Sequence, residues 1–267
     1  MDIVNGKTKR GGPAHYCAMA AQAYGAHYAC VGLKPRKYLW NVPKGWFFES
    51  DGPIFRHIYH GDHRKSILIS KPAILDMCPV DLRKFDVIMI SPVFREFSFE
   101  LIEKISKNHF VVIDVQGFVR STNEANEIIY VSPDQRIIQA FEHSQIVHIS
   151  DEELSAIKKL PTNPIKVLTY GSDGSKIVHR QKSINIPAYK VEGDPTGAGD
   201  VFTTFLALEY FKKKDIISAT IFASAATSLF IEGKLGYSLD EIVKISELKT
   251  EIRTREEKIR NFVSRKY

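Results

Sequence analysis

Between Val191 and Phe205 the chain reads VEGDPTGAGDVFTTF, one proline, three glycines and two aspartates directly ahead of an apolar run. Glycine costs roughly 0.5–1 kcal/mol relative to alanine inside regular structure, so such a cluster marks a tight turn or a close approach to bare backbone. The run that follows predicts a helix beginning at about Thr196 or Gly197. Its first amides lack intrahelical partners, and its dipole presents positive character there. With no side chain at Gly197 or Gly199, those amides can lie against a phosphate. Asp200 falls in the first turn, where the same field is expected to keep it ionised. A carboxylate beside an anion hole suits one chemistry: it takes the proton from an attacking hydroxyl while the amides hold the transferring phosphoryl group. The plainer alternative is a glycine turn with Asp200 decorating the helix N-terminus. Two other phosphate motifs fail. GSDGSK at Gly171–Lys176 lacks the four-residue spacing of a Walker A loop, and GAGDVF lacks the third glycine of a dinucleotide fingerprint.

Such groups act only when a scaffold holds them. HYACVGL, DVIMISP, HFVVIDV, SQIVHIS and IKVLTYG are short β-branched runs of the kind buried on both faces of a parallel sheet. GGPAHYCAMAAQAYG predicts a helix with Pro13 at its start and Gly25 just past its end. SPDQRIIQAFEHS predicts another, with Ser132 as N-cap, Pro133 at N1 and Gln135 at N3; FSFELIEKISK fits a third. From Gly197 onward the chain is mostly helical, through DIISATIFASAATSLFIEG, SLDEIVKISEL and a charged C-terminal segment. This alternation predicts an α/β fold, a doubly wound, mostly parallel sheet flanked by helices. One region breaks the rhythm. From Trp46 to Ser70 two or three strands follow one another with turns at Asp51-Gly52-Pro53 and Gly61-Asp62 and no helix between them. Residues 36–71 therefore read as a small antiparallel β lid inserted in a single domain spanning 1–267.

The 267 residues, 44% apolar and 25% charged, suffice for one large core. No apolar run has the length of a membrane span and no secretory signal is evident. Cys17, Cys30 and Cys78 are an odd set without paired spacing, which predicts reduced thiols in a cytoplasmic protein. The net charge of +6 comes from Lys and Arg interspersed with acids, as in KTEIRTREEKIR, the pattern of a solvated helix face rather than a nucleic-acid surface. His57, His60 and His63 would scatter over both faces of a hairpin, so they predict a solvated lid turn and not a metal site.

DPTGAGDVF resembles the second signature of the ribokinase-like (PfkB) carbohydrate kinases, and GGPAHYCAMAAQAYG resembles the first. VLTYGSDGS is similar to that family's nucleotide-binding TxGxxG segment through Thr169, Gly171 and Gly174. The resemblance implies a ribokinase-like fold and a kinase that uses ATP and Mg²⁺. It implies Asp200 as general base, the backbone of Gly197, Ala198 and Gly199 as anion hole, Gly11 and Gly12 beside the substrate, and Thr169, Gly171 and Gly174 beside ATP. The family's NxxE element, which helps organise Mg²⁺, reads SDEE here: Ser150 replaces the Asn and Glu153 is retained. Ser150 to Glu153 is also a capping box, and both roles hold only if the Glu153 carboxylate turns from the cap. Family members begin with a strand whose end supplies a substrate-binding Asp. Asp2 takes that place with nearly all of the strand before it absent, so the native start is expected upstream of Met1. In DVQGFVR, the resemblance implies that Asp114 and Gln116 face the acceptor and that Arg120 stabilises charge on the phosphoryl group.

The Asp-x-Gln pattern and SPVFRE at Ser91–Glu96 are similar to the inositol kinases of the family, which implies a neutral polyol or sugar acceptor such as myo-inositol. A sugar phosphate would draw on Arg56 and Lys65; a nucleoside would use Phe47, Phe55 or Tyr59 as a shelf. A catalytically silent sensor of polyol or nucleotide also stays open: the intact DPTGAGD argues against it, the missing strand and Ser150 for it. No nucleic-acid or membrane partner is expected, and exposed lid edges could pair two chains into a homodimer.

Overall fold

Apolar side chains that alternate along short strands must be covered on both faces, and here they are. In chain order the elements of the computed structural model are β1 (Asp2–Val4), β2 (Lys7–Lys9), α1 (Pro13–Tyr24), β3 (Cys30–Pro35), β4 (Gly45–Ser50), β5 (Ile54–His60), β6 (His63–Ser70), β7 (Ile88–Ile90), α2 (Phe99–Asn108), β8 (Val111–Asp114), α3 (Gln116–Val119), β9 (Arg120–Thr122) and β10 (Ile128–Tyr130). There follow α4 (Gln135–Phe141), β11 (Ile146–Ser150), α5 (Asp151–Leu154), β12 (Ile165–Thr169), β13 (Ser175–His179), β14 (Lys182–Ile186), α6 (Ala198–Lys213), α7 (Ile216–Ile231) and α8 (Ile245–Ser264). The structure describes residues 1–4, 6–60, 63–235 and 245–264.

The main sheet has six strands in the order β14-β13-β12-β11-β8-β7. β7, β8, β11 and β12 run parallel, and β13 and β14 continue antiparallel. Val112, Ile146 and Val167 face one layer, built by α1, α6, α7 and α8. Val111, Ile113, Val147, Ile149 and Leu168 face the other, with α2 and α4. Since strand side chains alternate with period two, Asp114, His148 and Thr169 continue the first row toward the C-terminal ends of β8, β11 and β12. The face toward α6 thus changes from apolar to polar in one step, at the strand ends where open α/β sheets hold ligands.

Four of the five expected sheet runs lie in this sheet. The run HYACVGL does not: β3 is only half-buried and pairs in parallel with β4. The small sheet also differs from a simple insertion. Its order is β2-β1-β5-β6, so the N-terminal strands join residues 54–70, and two of its three pairings are antiparallel while β1 and β5 run parallel. Asp2 therefore stands on the small sheet, opposite Phe55, and not at the end of a main-sheet strand. The predicted Gly61-Asp62 turn, the side chains of Tyr59, His60 and His63, and most of SLDEIVKISEL lie outside the described residues.

Helix ends follow local chemistry. α1 opens at Pro13 and closes on Gly25 in the left-handed conformation, as expected. α4 starts later than expected: Asp134, as good a cap as Ser132, accepts from the Arg136 amide at 2.8 Å and takes over the N-cap. α8 buries Ile252, Arg255 and Ile259 on one face, with Arg255 donating to Ser228 at 2.7 Å and Glu232 at 2.6 Å, while Arg253 and Lys258 stay exposed. The charged segment is thus a solvated face whose other side docks on the α7 layer.

Phe205, fully buried under α6, touches the rings of Tyr24 and Phe222. Phe205→Ala should lower unfolding free energy by about 3–5 kcal/mol. Urea unfolding measures it, and a loss below about 1 kcal/mol would show that α6 does not anchor this layer.

Candidate active site

Gly197 caps α6 with φ +86°, a left-handed conformation, and a Cβ there would lie 2.5 Å from the Tyr16 ring. Both facts call for glycine. The amide of Ala198 donates to Pro195 O at 2.9 Å and that of Val201 to Gly197 O at 3.0 Å. Those of Gly197, Gly199 and Asp200 have no partner among the described residues. Of the expected trio 197, 198 and 199, the Ala198 amide is already engaged in the turn, while the Asp200 amide is open beside those of Gly197 and Gly199.

The Asp200 side chain is buried, and its Oδ1 has no hydrogen-bond partner among the described residues. Burial first, then the charge of Asp114, push its carboxyl well above the ordinary carboxylate range, while Arg120 and Ser91 pull the other way. The helix field expected to keep Asp200 ionised is thus opposed by its burial. Desolvation outweighs the dipole at a fully buried group.

A cleft of about 430 Å³ opens onto this carboxylate, large enough for a small ligand. Asp2, Gly11, Gly12, Gln116, Arg120 and Gly197 all line it with Asp200, as do Ser91 and Val93. Asp2 and Gly11 fit together: a Cβ on Gly11 would sit 1.8 Å from Asp2 Oδ2. Asp2 Oδ1 lies 3.5 Å from His57 Nε2, and His57 Nδ1 is 2.9 Å from Ser66 Oγ. His57 was expected as part of a solvated turn and is instead largely buried, stacked on Phe55 and facing the cleft. The period of two along β5 puts both rings on one face and leaves Arg56 exposed on the other. Lys65 pairs with Glu127, so neither Arg56 nor Lys65 reaches the cleft. The cations along it are Lys9, Arg10, Lys34 and Arg120. Phe47 and Phe55 also line it.

Behind the cleft lies a layer of charge. Arg120 donates to Val93 O at 3.4 Å, and its buried Nε has no partner among the described residues. Its charge acts on Asp200, Glu153 and Glu96. Glu96 accepts from the amides of Val93 and Phe94, both at 2.6 Å, and so folds the 91–96 loop against Arg120. Asp114 accepts from the Gln116 amide at 3.0 Å and stands 3.5 Å from His148. Glu153 completes the capping box, with Oε2 accepting from the Ser150 amide at 2.9 Å. Burial and then Asp114 raise its pKa. Neither Asp114, Glu153, Ala198, Gly199, Thr169, Gly171 nor Gly174 lines the cleft itself. No cluster of three metal-ligating side chains occurs among the described residues. Buried carboxylates nevertheless outnumber the cations among them, a balance that a divalent ion carried in on phosphate and water would correct.

His148 and Thr203 were not singled out from the sequence. The signal was available: His148 follows Ile146 two residues on, on the face toward α6.

Residues 55–241 match the sequence profile of the pfkB family of carbohydrate kinases. Ribokinase of Bacillus subtilis (strain 168) is 27% identical over 187 residues, 66% of this chain and 61% of that protein. A nucleoside kinase of Methanocaldococcus jannaschii is 27% identical over 111 residues, 38% of this chain and 37% of its own. The chain thus spans about three fifths or less of the curated relatives it matches. Among solved structures, a pyrophosphate-dependent kinase in the ribokinase family superposes with a TM-score of 0.73 at 20% identity, covering 93% of this chain and 95% of that one. Its complex with a pyrophosphate analog and myo-inositol gives 0.71 at 19% identity, again covering 93% and 95%. The Methanocaldococcus jannaschii nucleoside kinase gives 0.68 at 19%, covering 91% and 86%.

A carboxyl whose pKa is higher folded than unfolded binds its proton more tightly in the folded chain. Stability therefore falls as pH rises from the ordinary carboxylate range through the raised value. Asn has no such proton to lose. Asp200→Asn should therefore melt above the parent at neutral pH, and the gap should close in acid. Melting curves of both proteins from acid to neutral pH test this; a gap independent of pH would overturn it.

Proposed function

Because the chain belongs to the pfkB family of carbohydrate kinases, we propose that it transfers a phosphoryl group from ATP to a hydroxyl of a small neutral polyol or sugar, myo-inositol being the leading candidate. One observation carries this reading: a buried carboxylate and three unpartnered amides at one helix N-terminus, with the carboxylate opening onto a ligand-sized cleft. The acceptor hydroxyl loses its proton to Asp200 as its oxygen bonds to the terminal phosphorus. The bond from that phosphorus to the bridging oxygen breaks, and ADP leaves. The amides of Gly197, Gly199 and Asp200 hold the oxygens of the transferring group, and Arg120 balances charge that would otherwise collect between Asp200 and the phosphate.

Acceptor hydroxyls have Asp2 and Gln116 to bond, with Gly11 and Gly12 allowing close approach and Asp114 setting the Gln116 amide. The donor lies along Thr169, Gly171 and Gly174 at the end of β12. Mg²⁺, when bound with the donor, neutralises its phosphates. Glu153, held in its cap, would meet that ion through water. One observation favours a second acceptor class. Phe47 and Phe55 line the cleft, and a nucleoside would stack there. The solved pyrophosphate-dependent relatives make pyrophosphate the second donor to test.

The exposed apolar residues Trp46 and Phe48 on β4, in the two-stranded β3-β4 sheet, and Ile69 on β6 of the small sheet support pairing of two chains through these strands. Sedimentation at increasing concentration should show a dimer, and a monomer throughout rejects it.

ADP release from ATP and Mg²⁺, with pyrophosphate as parallel donor, tests the central reading against inositols, sugars, sugar phosphates and nucleosides. Turnover with one acceptor is expected, falling about 10²–10⁴-fold in Asp200→Asn. The acid limb of kcat/KM should lie above the ordinary carboxylate range, because protonation removes the base and burial raises its pKa. No turnover with any pair, or full turnover in the variant, sinks the mechanism.

A further inference from the structure

One buried ring connects the elements that this reading assigns to donor, acceptor and anion hole. His148 is 3% exposed, and both its nitrogens are engaged. Nδ1 lies 2.9 Å from Thr203 Oγ1 and 3.5 Å from Asp114 Oδ2, and Nε2 lies 3.1 Å from Thr169 Oγ1. The ring packs on Phe202 with centroids 5.6 Å apart.

The direction of these bonds follows from counting protons. Thr203 has one hydroxyl hydrogen and donates it to Gly199 O at 2.8 Å. What it offers His148 is a lone pair, so Nδ1 must carry a hydrogen. The Gly199 carbonyl and the Asp200 amide are two ends of one rigid peptide plane. Holding that carbonyl therefore fixes where the Asp200 N–H points, and that amide is one of the three without a partner.

We propose that His148 is a positioning residue for phosphoryl transfer: protonated on Nδ1, it orients Thr203 and through it the Gly199–Asp200 peptide, and its Nε2 ties that peptide to Thr169. The proposal rests on the kinase reading for its consequences, though not for its geometry. Donor bound beside Thr169 and phosphoryl group held at Asp200 are then linked by one chain: Thr169, His148, Thr203, Gly199. Imidazole suits the task because its two nitrogens point in opposite directions, and a buried network holds geometry only when every member is satisfied.

The first measurement needs no turnover. In the full chain labelled with ¹⁵N-histidine, the ring resonances of His148, identified by their loss in His148→Phe, should show Nδ1 protonated. A ring protonated on Nε2 alone overturns the proposal. The second titrates inorganic phosphate while following the amides of Gly199 and Asp200. Thr203→Val keeps the side-chain shape without the hydroxyl and should weaken phosphate about tenfold, whereas Thr203→Ser should restore it. With the acceptor found in the panel, Thr203→Val should lower kcat about 10–100-fold and leave the acceptor KM unchanged, again with rescue by Thr203→Ser. If the parent turns over and Thr203→Val matches it in phosphate binding and kcat, the relay fails and the kinase reading stands. If the parent is silent with every donor and acceptor, the kinase reading fails, and the ring protonation and phosphate titration still decide the relay.

Discussion

A carboxylate buried at a helix N-terminus is held by two opposed effects, and most of this fold can be derived from how they are balanced. The first turn of α6 offers unpaired amides and positive potential, which favour an anion. Burial of Asp200 under the main sheet's polar row opposes ionisation, and Asp114 and Glu153 oppose it further. The charge of Arg120 relieves this opposition, and Arg120's own place depends on Glu96, whose two oxygens fold the 91–96 loop beneath it. Under the proposed function, an anion that enters the cleft would find donors already oriented, which offsets the cost of this arrangement.

The small sheet completes this arrangement from the opposite side. Its β1 and β5 run side by side, so Asp2, Phe55 and His57 meet at the cleft although they are more than fifty residues apart in the chain. Asp2 fits because Gly11 has no side chain where the carboxylate sits. The glycine pair before α1 thus has two physical reasons: space for Asp2 at Gly11, and a positive φ at Gly12.

Much of this was legible in the residues. The strands β7, β8, β11 and β12 and the helices α1 and α6 follow from β-branched runs and from Pro13, Gly25 and Gly197, because those signals act within a few residues. What could not be read was pairing at a distance. β1 joining β5, β3 leaving the main sheet for β4, and His57 turning inward all depend on which strands meet, and no local pattern encodes that choice. Competition between equal local partners was equally hidden. Asp134 and Ser132 are comparable caps, and the Ala198 amide is indistinguishable from its neighbours until Pro195 O claims it. The exception is the polar row Asp114, His148, Thr169. It was visible as the residues two places beyond Val112, Ile146 and Val167 in each alternating set, and it went unread because two of its members were assigned to separate motifs.

That row also explains why the site lies at this edge of the sheet. A parallel sheet with both faces covered has no solvent to satisfy polar side chains, so they concentrate at strand ends where another element can answer them. Here the answering element is α6, whose second turn supplies Thr203 to His148 and whose preceding glycine allows the helix to begin against Tyr16. A bulkier residue at 197 would push the helix start away from the sheet. Thr203 would then lose its reach to His148, and the amides of Gly199 and Asp200 would no longer stand behind one cleft. Packing at Tyr16 and chemistry at Asp200 are therefore the same constraint met at two ends of one helical turn.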